Sequence, residues 1–244
     1  MGRCFKKITG WIAAAAFLAA AFCIGRQAAV MVNALATDQS QVQGADSESK
    51  MRKFCVVIDA GHGGEDPGKV GVNGTLEKEL NLAVAKQLKT FLEQADVEVV
   101  MTRTNDQGLY DQNASGKKAQ DMKRRVVVME EVKPDLAVSI HQNSYSNPQI
   151  AGAQVFYYTN SADGKLLAQK IQQRLVQGLD PDNHRREKDN DSYYLLKKTK
   201  TAIVIVECGF LSNPGEEELL ADPVYQEKVA WQIHLGILQY LNGR

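Results

Sequence analysis

The sequence predicts an α/β fold, a single domain with a mixed, mostly parallel sheet of about six strands and helices on both faces. Two observations carry this expectation. From residue 54 onward, short runs rich in valine and isoleucine alternate with longer stretches whose apolar residues recur at helical spacing. One of those runs, Ala202 to Val206, is apolar throughout, which suits the buried centre of a sheet rather than a half-exposed strand. Size and composition agree. A chain of 244 residues that is 44% hydrophobic and 24% charged suits one such domain and excludes disordered or fibrous classes.

The elements follow in order. Phe54 to Asp59 reads as the first strand. Leu80, Ala83, Val84, Leu88, Phe91 and Leu92 recur at helical spacing and place a helix over about 78–94, before a second strand at Val97 to Thr102. A helix over 119–132 leads through Pro134-Asp135 into a third strand, Leu136 to Ile140. Ala153 to Tyr158 is the fourth, and Leu166, Leu167, Ile171 and Leu175 line one side of a helix at about 161–178. A charged loop precedes Ala202 to Val206. The last helix opens at Asp222-Pro223, a cap followed by proline at the first helical position, and closes at Asn242-Gly243.

Upstream of this domain, residues 1–36 have the layout of an export segment, a signal peptide or an N-terminal membrane anchor. Arg3, Lys6 and Lys7 form a positive start, Trp11 to Ile24 is apolar, and Ala34-Leu35-Ala36 offers small residues for cleavage. The apolar run is short for a spanning helix, yet Ala28 to Val32 prolongs it beyond Arg26. Cys23 follows Phe22 rather than a small residue, which speaks against lipidation. Residues 37–52 are polar and aperiodic and read as a linker, so the catalytic domain is expected over 53–244. Basic and acidic residues balance at 29 each, which excludes a nucleic-acid partner. Cys55 and Cys208 are too far apart for a CxxC metal pair and read as small hydrophobes.

In open α/β sheets the functional crevice lies beyond the carboxyl ends of the strands. Four polar residues fall there against their surroundings. His62 follows the first strand within Asp59-Ala60-Gly61-His62-Gly63-Gly64, and His141 ends the third strand. Glu207 ends the apolar run, and Glu77 precedes the first helix after a glycine-rich loop. Two histidines, one carboxylate and an open fourth position are the usual ligand set of a catalytic zinc, which lowers the pKa of a bound water to roughly 7. Glu207, leaving an apolar strand, suits general base and acid work because burial raises a carboxylate pKa. Plainer readings exist for each. A strand-end histidine is often a hydrogen-bonding residue, and Glu77 suits a helix N-terminus. His234 reads as packed in the last helix, His184 as solvated, and Lys117 to Arg125 as the wet face of a helix. Nucleotide binding lacks both GxGxxG and a GKS/T box.

At these residues the chain resembles the zinc-dependent N-acetylmuramoyl-L-alanine amidases of bacterial cell walls, from about Lys53 to Leu241. Ile58 to Gly64 continued by Asp66-Pro67-Gly68, Glu77-Lys78-Glu79 with Asn81, Thr102-Arg103 with Asp106, Ser139-Ile140-His141 with Asn143, and Glu207 with Gly209 to Asn213 match the family's ordered motifs. The resemblance implies a phosphorylase/hydrolase-like fold and cleavage of the amide between muramic acid and the L-alanine of the stem peptide in peptidoglycan. It further implies that His62, Glu77 and His141 hold one Zn2+ and that Glu207 activates the water. Asn143 becomes a contact to the ligands or the substrate, and Arg185 and Lys188 contacts to a substrate carboxylate.

The chain departs from the family pattern at Met129-Glu130 and Thr201, away from the metal motifs. The stretch between His141 and Gly152 leaves no room for the blocking helix of some division amidases. Control is therefore expected from metal loading, substrate form or an accessory protein. A single catalytic domain, the N-terminal hydrophobic segment and the Tyr193 to Lys197 run look most like the germination-specific amidases of spore-forming bacteria. That implies a role in the spore cortex, where muramic δ-lactam forms, on the outer face of the cytoplasmic membrane. A vegetative-wall amidase, a zinc peptidase or deacetylase on the same scaffold, and an inactive wall-binding or regulatory protein are the competing readings.

Overall fold

Alternation along each strand decides which helix layer its side chains meet. The computed structural model describes residues 53–243, so the export segment and the linker expected over residues 1–52 lie outside the described residues. The sheet is built from β1 (Cys55–Ala60), β2 (Glu98–Met101), β3 (Leu136–Asn143), β4 (Gln154–Tyr158), β5 (Lys188–Asn190) and β6 (Ile203–Phe210). Its order is β2-β1-β3-β6-β4-β5. β2, β1, β3 and β6 run parallel, while β4 is antiparallel to β6 and parallel to β5. The sheet is thus mixed and mostly parallel, as the sequence predicts.

Val56, Ile58 and Ala60 of β1, Val138 and Ile140 of β3, and Val204 and Val206 of β6 face one side. There they pack on α1 (Glu77–Gln94), α3 (Ala162–Leu179) and α6 (Pro223–Leu241) through residues such as Leu88, Ile171 and Ile233. The alternate residues Val57, Ala137, Ile203 and Ile205 face α2 (Lys117–Val132) and α4 (Tyr194–Lys198), meeting Val126, Met129, Leu195 and Leu196. Period-2 alternation therefore splits the core into two clusters, one on each face of the sheet.

Three short elements were not in the sequence reading: β5, α4 and α5 (Pro214–Ala221). All are too short to show a period. The charged loop before the apolar run contains both β5 and α4. The signal for α5 was Asn213-Pro214, whose asparagine side chain accepts from Gly215 N at 3.0 Å and Glu216 N at 3.1 Å. The apolar strand also runs on beyond Glu207 to Phe210, and it lies between β3 and β4 rather than at an edge.

Candidate metal centre

Strand register brings the site together. His141 of β3 and Glu207 of β6 are direct partners in a parallel pair, so their side chains leave the same face of the sheet side by side. The register shifts between His141 and Asn143, and the irregularity lies at the rim where the site opens. His62 stands just past β1 with φ of 63°, inside a tight loop. Glycine is required on both sides of that loop. A Cβ at Gly61 would stand 2.3 Å from the His141 imidazole, and one at Gly68 would stand 2.5 Å from Glu77 Oε2. Glu77 opens α1, and its backbone N–H donates to Lys69 O at 2.9 Å. The preceding loop hangs on Glu217 of α5, which accepts from Asn73 N at 2.8 Å and Thr75 N at 3.2 Å.

The three expected ligands converge. Glu77 Oε1 is 3.2 Å from His62 Nε2 and 2.9 Å from His141 Nδ1, and the rings meet edge-on with centroids 5.0 Å apart. One ligand atom from each residue lies within 4.8 Å of the others. Each ligand is held from behind. His62 Nδ1 is 2.9 Å from Asp66 Oδ2, and Asp66 Oδ1 accepts from Gly68 N at 3.1 Å. Glu77 Oε2 accepts from Lys69 N at 2.7 Å, and its Oε1 accepts from Gln142 N at 3.1 Å. Burial alone would raise the Glu77 carboxyl, yet hydrogen bonds from His141 and His62 hold it far below the usual carboxylate range. Burial disfavours a charged His62, but the hydrogen bonds to Glu77 and Asp66 prevail and raise its pKa. These are the electrostatics of a cation site. Two imidazoles and one ionised carboxylate share a common point and suit a borderline metal such as zinc.

Glu207 is 8% exposed, and its Oε2 has no hydrogen-bond partner among the described residues. Loss of solvation, with His141 opposing it, pushes its pKa up to about 7. It borders a cleft of about 320 Å³ together with His62, His141 and Tyr193, walled more deeply by Met122, Leu195 and Ile205. The opening continues past Gln142, Asn143 and Ser144. Asn143 therefore stands at the mouth, with its backbone carbonyl held by Leu211 N at 2.8 Å.

Arg185 and Lys188 do not line this cleft. Arg185 lies over the Phe210 ring at 4.8 Å and donates to Ala151 O at 2.8 Å, while Lys188 is exposed on β5. His234 is packed in α6 beside Trp231, and His184 is exposed. Cys208 is buried in β6 and Cys55 is half-buried in β1.

One expectation is corrected. Arg125 is not on a wet face but is 1% exposed beneath the site. It donates to Asp59 Oδ1 and Asp121 Oδ2, each at 2.5 Å, to Ala60 O at 2.8 Å and to His62 O at 2.6 Å. Arg103 grips the same loop through Ala60 O and Gly61 O, both at 2.9 Å. Two guanidinium groups thus hold the backbone that carries His62. The missed signal was spacing, since Asp121, Arg125, Val126 and Met129 share one helix face.

Comparison with known proteins agrees with this geometry. A family profile described as N-acetylmuramoyl-L-alanine amidase matches residues 56–239. The germination-specific N-acetylmuramoyl-L-alanine amidase of Bacillus subtilis is 37% identical over 192 residues, 78% of this chain and 80% of that protein. B. subtilis LytC, another such amidase, is 33% identical over 187 residues, which span 76% of this chain but 35% of LytC. Among solved structures, the CwlD amidase of Clostridioides difficile, in complex with the GerS lipoprotein, superposes with a TM-score of 0.77 at 38% identity. That match covers 79% of this chain and 100% of the solved one. The chain accordingly belongs to the N-acetylmuramoyl-L-alanine amidase family, enzymes that hydrolyse the amide between N-acetylmuramic acid and L-alanine.

Proposed function

We propose that His62, Glu77 and His141 hold one Zn2+ and that Glu207 is the general base and acid of amide hydrolysis in peptidoglycan. The observation that carries the reading is the three-ligand cluster with an unpartnered, buried carboxylate beside it. A zinc held by these three side chains would supply polarisation of the scissile carbonyl and a lower pKa for the attacking water. Glu207 takes a proton from the attacking water as the water oxygen bonds to the carbonyl carbon. The carbon–nitrogen bond then breaks and Glu207 passes the proton to the leaving amine of L-alanine. Burial raises the Glu207 carboxyl above the usual carboxylate range, which favours its taking up and returning a proton. Asp66 holds the His62 ring, and Asn143, which lines the opening, is our candidate substrate contact.

The cortex is the substrate we infer, in the formation of muramic δ-lactam, and the identity to the germination-specific amidase supports it. The substrate then lies outside the cytoplasmic membrane, in keeping with the export pattern of residues 1–36. An accessory protein is part of the proposal because the C. difficile relative was solved in complex with a lipoprotein.

The test combines metal analysis with product analysis. Purified protein should carry one zinc per chain, lose activity to a chelator and regain it on zinc addition. Glu207→Gln should lower kcat by about 10³-fold or more and keep its zinc. Mass spectrometry of digested walls should find intact stem peptides freed from glycan. Cut stems would favour a peptidase, released acetate a deacetylase. Cortex digested no faster than vegetative wall would remove the cortex assignment alone.

A further inference from the structure

Among the described residues that border the cleft, acidic side chains outnumber cationic ones whose donors are free. Asp59, Asp66, Glu77, Asp121 and Glu207 all border it. The nearby arginines are spent inside the protein, Arg125 on Asp59 and Asp121 and Arg103 on backbone carbonyls. Lys78 is committed to Asp106 at 2.6 Å and Lys117 to Glu65 at 2.6 Å. Two lysines differ. Lys69 borders only the mouth beside Gln142 and Asn143. Lys118, in the first turn of α2, borders both the mouth and the deeper part, with a side chain 78% exposed. Its Nζ reaches Asp66 Oδ2 only at 4.0 Å, the limit of an ion pair, so its hydrogen-bond donors are open to a ligand.

This inference rests on the amidase reading above. In such a substrate the muramyl carboxyl is consumed in the scissile amide, so every free carboxylate lies on the peptide. Arg125 offsets Asp59 and Asp121, and the proposed cation offsets Glu77. A peptide anion passing the part-exposed Asp66 is still repelled unless a further cation meets it, and a charge-assisted N–H···O contact supplies that compensation. We propose that Lys118 is the subsite for a carboxylate of the stem peptide and sets the preference of the enzyme for stems that keep that carboxylate free. Lys118 takes over the role that the sequence reading gave to Arg185 and Lys188.

The experiment compares two muropeptides that differ only in whether the second stem residue carries a free carboxylate or its amide, using the zinc-loaded full chain. Wild type should favour the free acid by about fivefold in kcat/KM, the reach of one exposed ion pair. The ratio should fall as salt is raised. Lys118→Met should bring it close to one, and Lys118→Glu should invert it. Calorimetry adds a readout free of turnover. The released acidic peptide should bind zinc-loaded Glu207→Gln protein more weakly, by the same factor, once Lys118→Met is added. A wild type without preference, a preference that survives Lys118→Met, or one lost in Lys69→Met instead would each overturn the proposal while leaving the amidase reading intact. A zinc-loaded wild type that cleaves neither muropeptide ends both.

Discussion

Glu207 is a carboxylate inside an apolar strand, 8% exposed and pushed up to about 7 from 4.5. Its sequence context already made it conspicuous, because an acid after five apolar residues is costly unless it has work to do. The sign of that cost is definite. A carboxyl whose folded pKa lies above its unfolded one favours folding fully below the unfolded value and loses that contribution as pH rises through the folded value. At pH 8 the metal-free protein therefore holds an unfavourable buried charge. Glu207→Gln is expected to stabilise the metal-free form at pH 8 by about 1–3 kcal/mol and to give no gain at pH 4. Thermal unfolding at the two pH values measures it, and equal shifts at both would refute the assignment of charge. The same substitution that is expected to end catalysis should thus strengthen the metal-free fold. His62, Glu77 and His141 were legible for a related reason. They are polar residues at strand or helix ends, where a sheet of this class places its chemistry.

At the scale of elements, α2 shows what the sequence left illegible. Its polar residues suit a solvated face by sequence, yet Asp121 and Arg125 turn inward beneath the His62 loop. A buried, satisfied arginine has the same one-dimensional signature as a surface one. Only partners brought from 63 to 66 residues away, Asp59 and the loop carbonyls, tell them apart. Burial would raise the Asp59 carboxyl, but Arg125, with Ser139 and Thr102, brings it down to about 2. Arg125→Met would leave Asp59 and Asp121 without their cation. We expect it to cost about 3–5 kcal/mol of stability and to weaken zinc retention, because the His62 carbonyl loses its donor. Denaturant unfolding alongside zinc content checks both. In the double variant Asp59→Asn with Arg125→Met, the cost should be smaller than the sum of the two single costs. The β3–β6 pair is the other element-scale device. It sets His141 beside Glu207 by register alone, which the apolar pattern of the two strands implied but could not count.

For the whole molecule, metal binding and folding are one equilibrium. Zinc that binds the native state and not the unfolded chain stabilises by about 4 kcal/mol at a thousand times its Kd, or roughly 10 °C in Tm for a domain of this size. His62 titrates above its ordinary value without metal, so its charged form helps the metal-free fold at low pH and that help fades as pH rises. Glu207 works in the same direction. The loss of Tm on chelation should therefore be larger at pH 8 than at pH 6, and calorimetric scans with and without chelator would show it. An equal or larger loss at pH 6 would count against His62 as a ligand.

By itself the sequence determined the α/β class, the order of the long elements and the four residues on which the proposed chemistry rests. Periodicity, apolar runs and misplaced charge are local properties of the chain. The tertiary structure alone decided that Arg125 is buried, that Arg185 and Lys188 stand apart from the cleft, and that Lys118 lies at it with its ammonium open. These depend on which distant segments meet, and pairing across a sheet is written in no single stretch of residues.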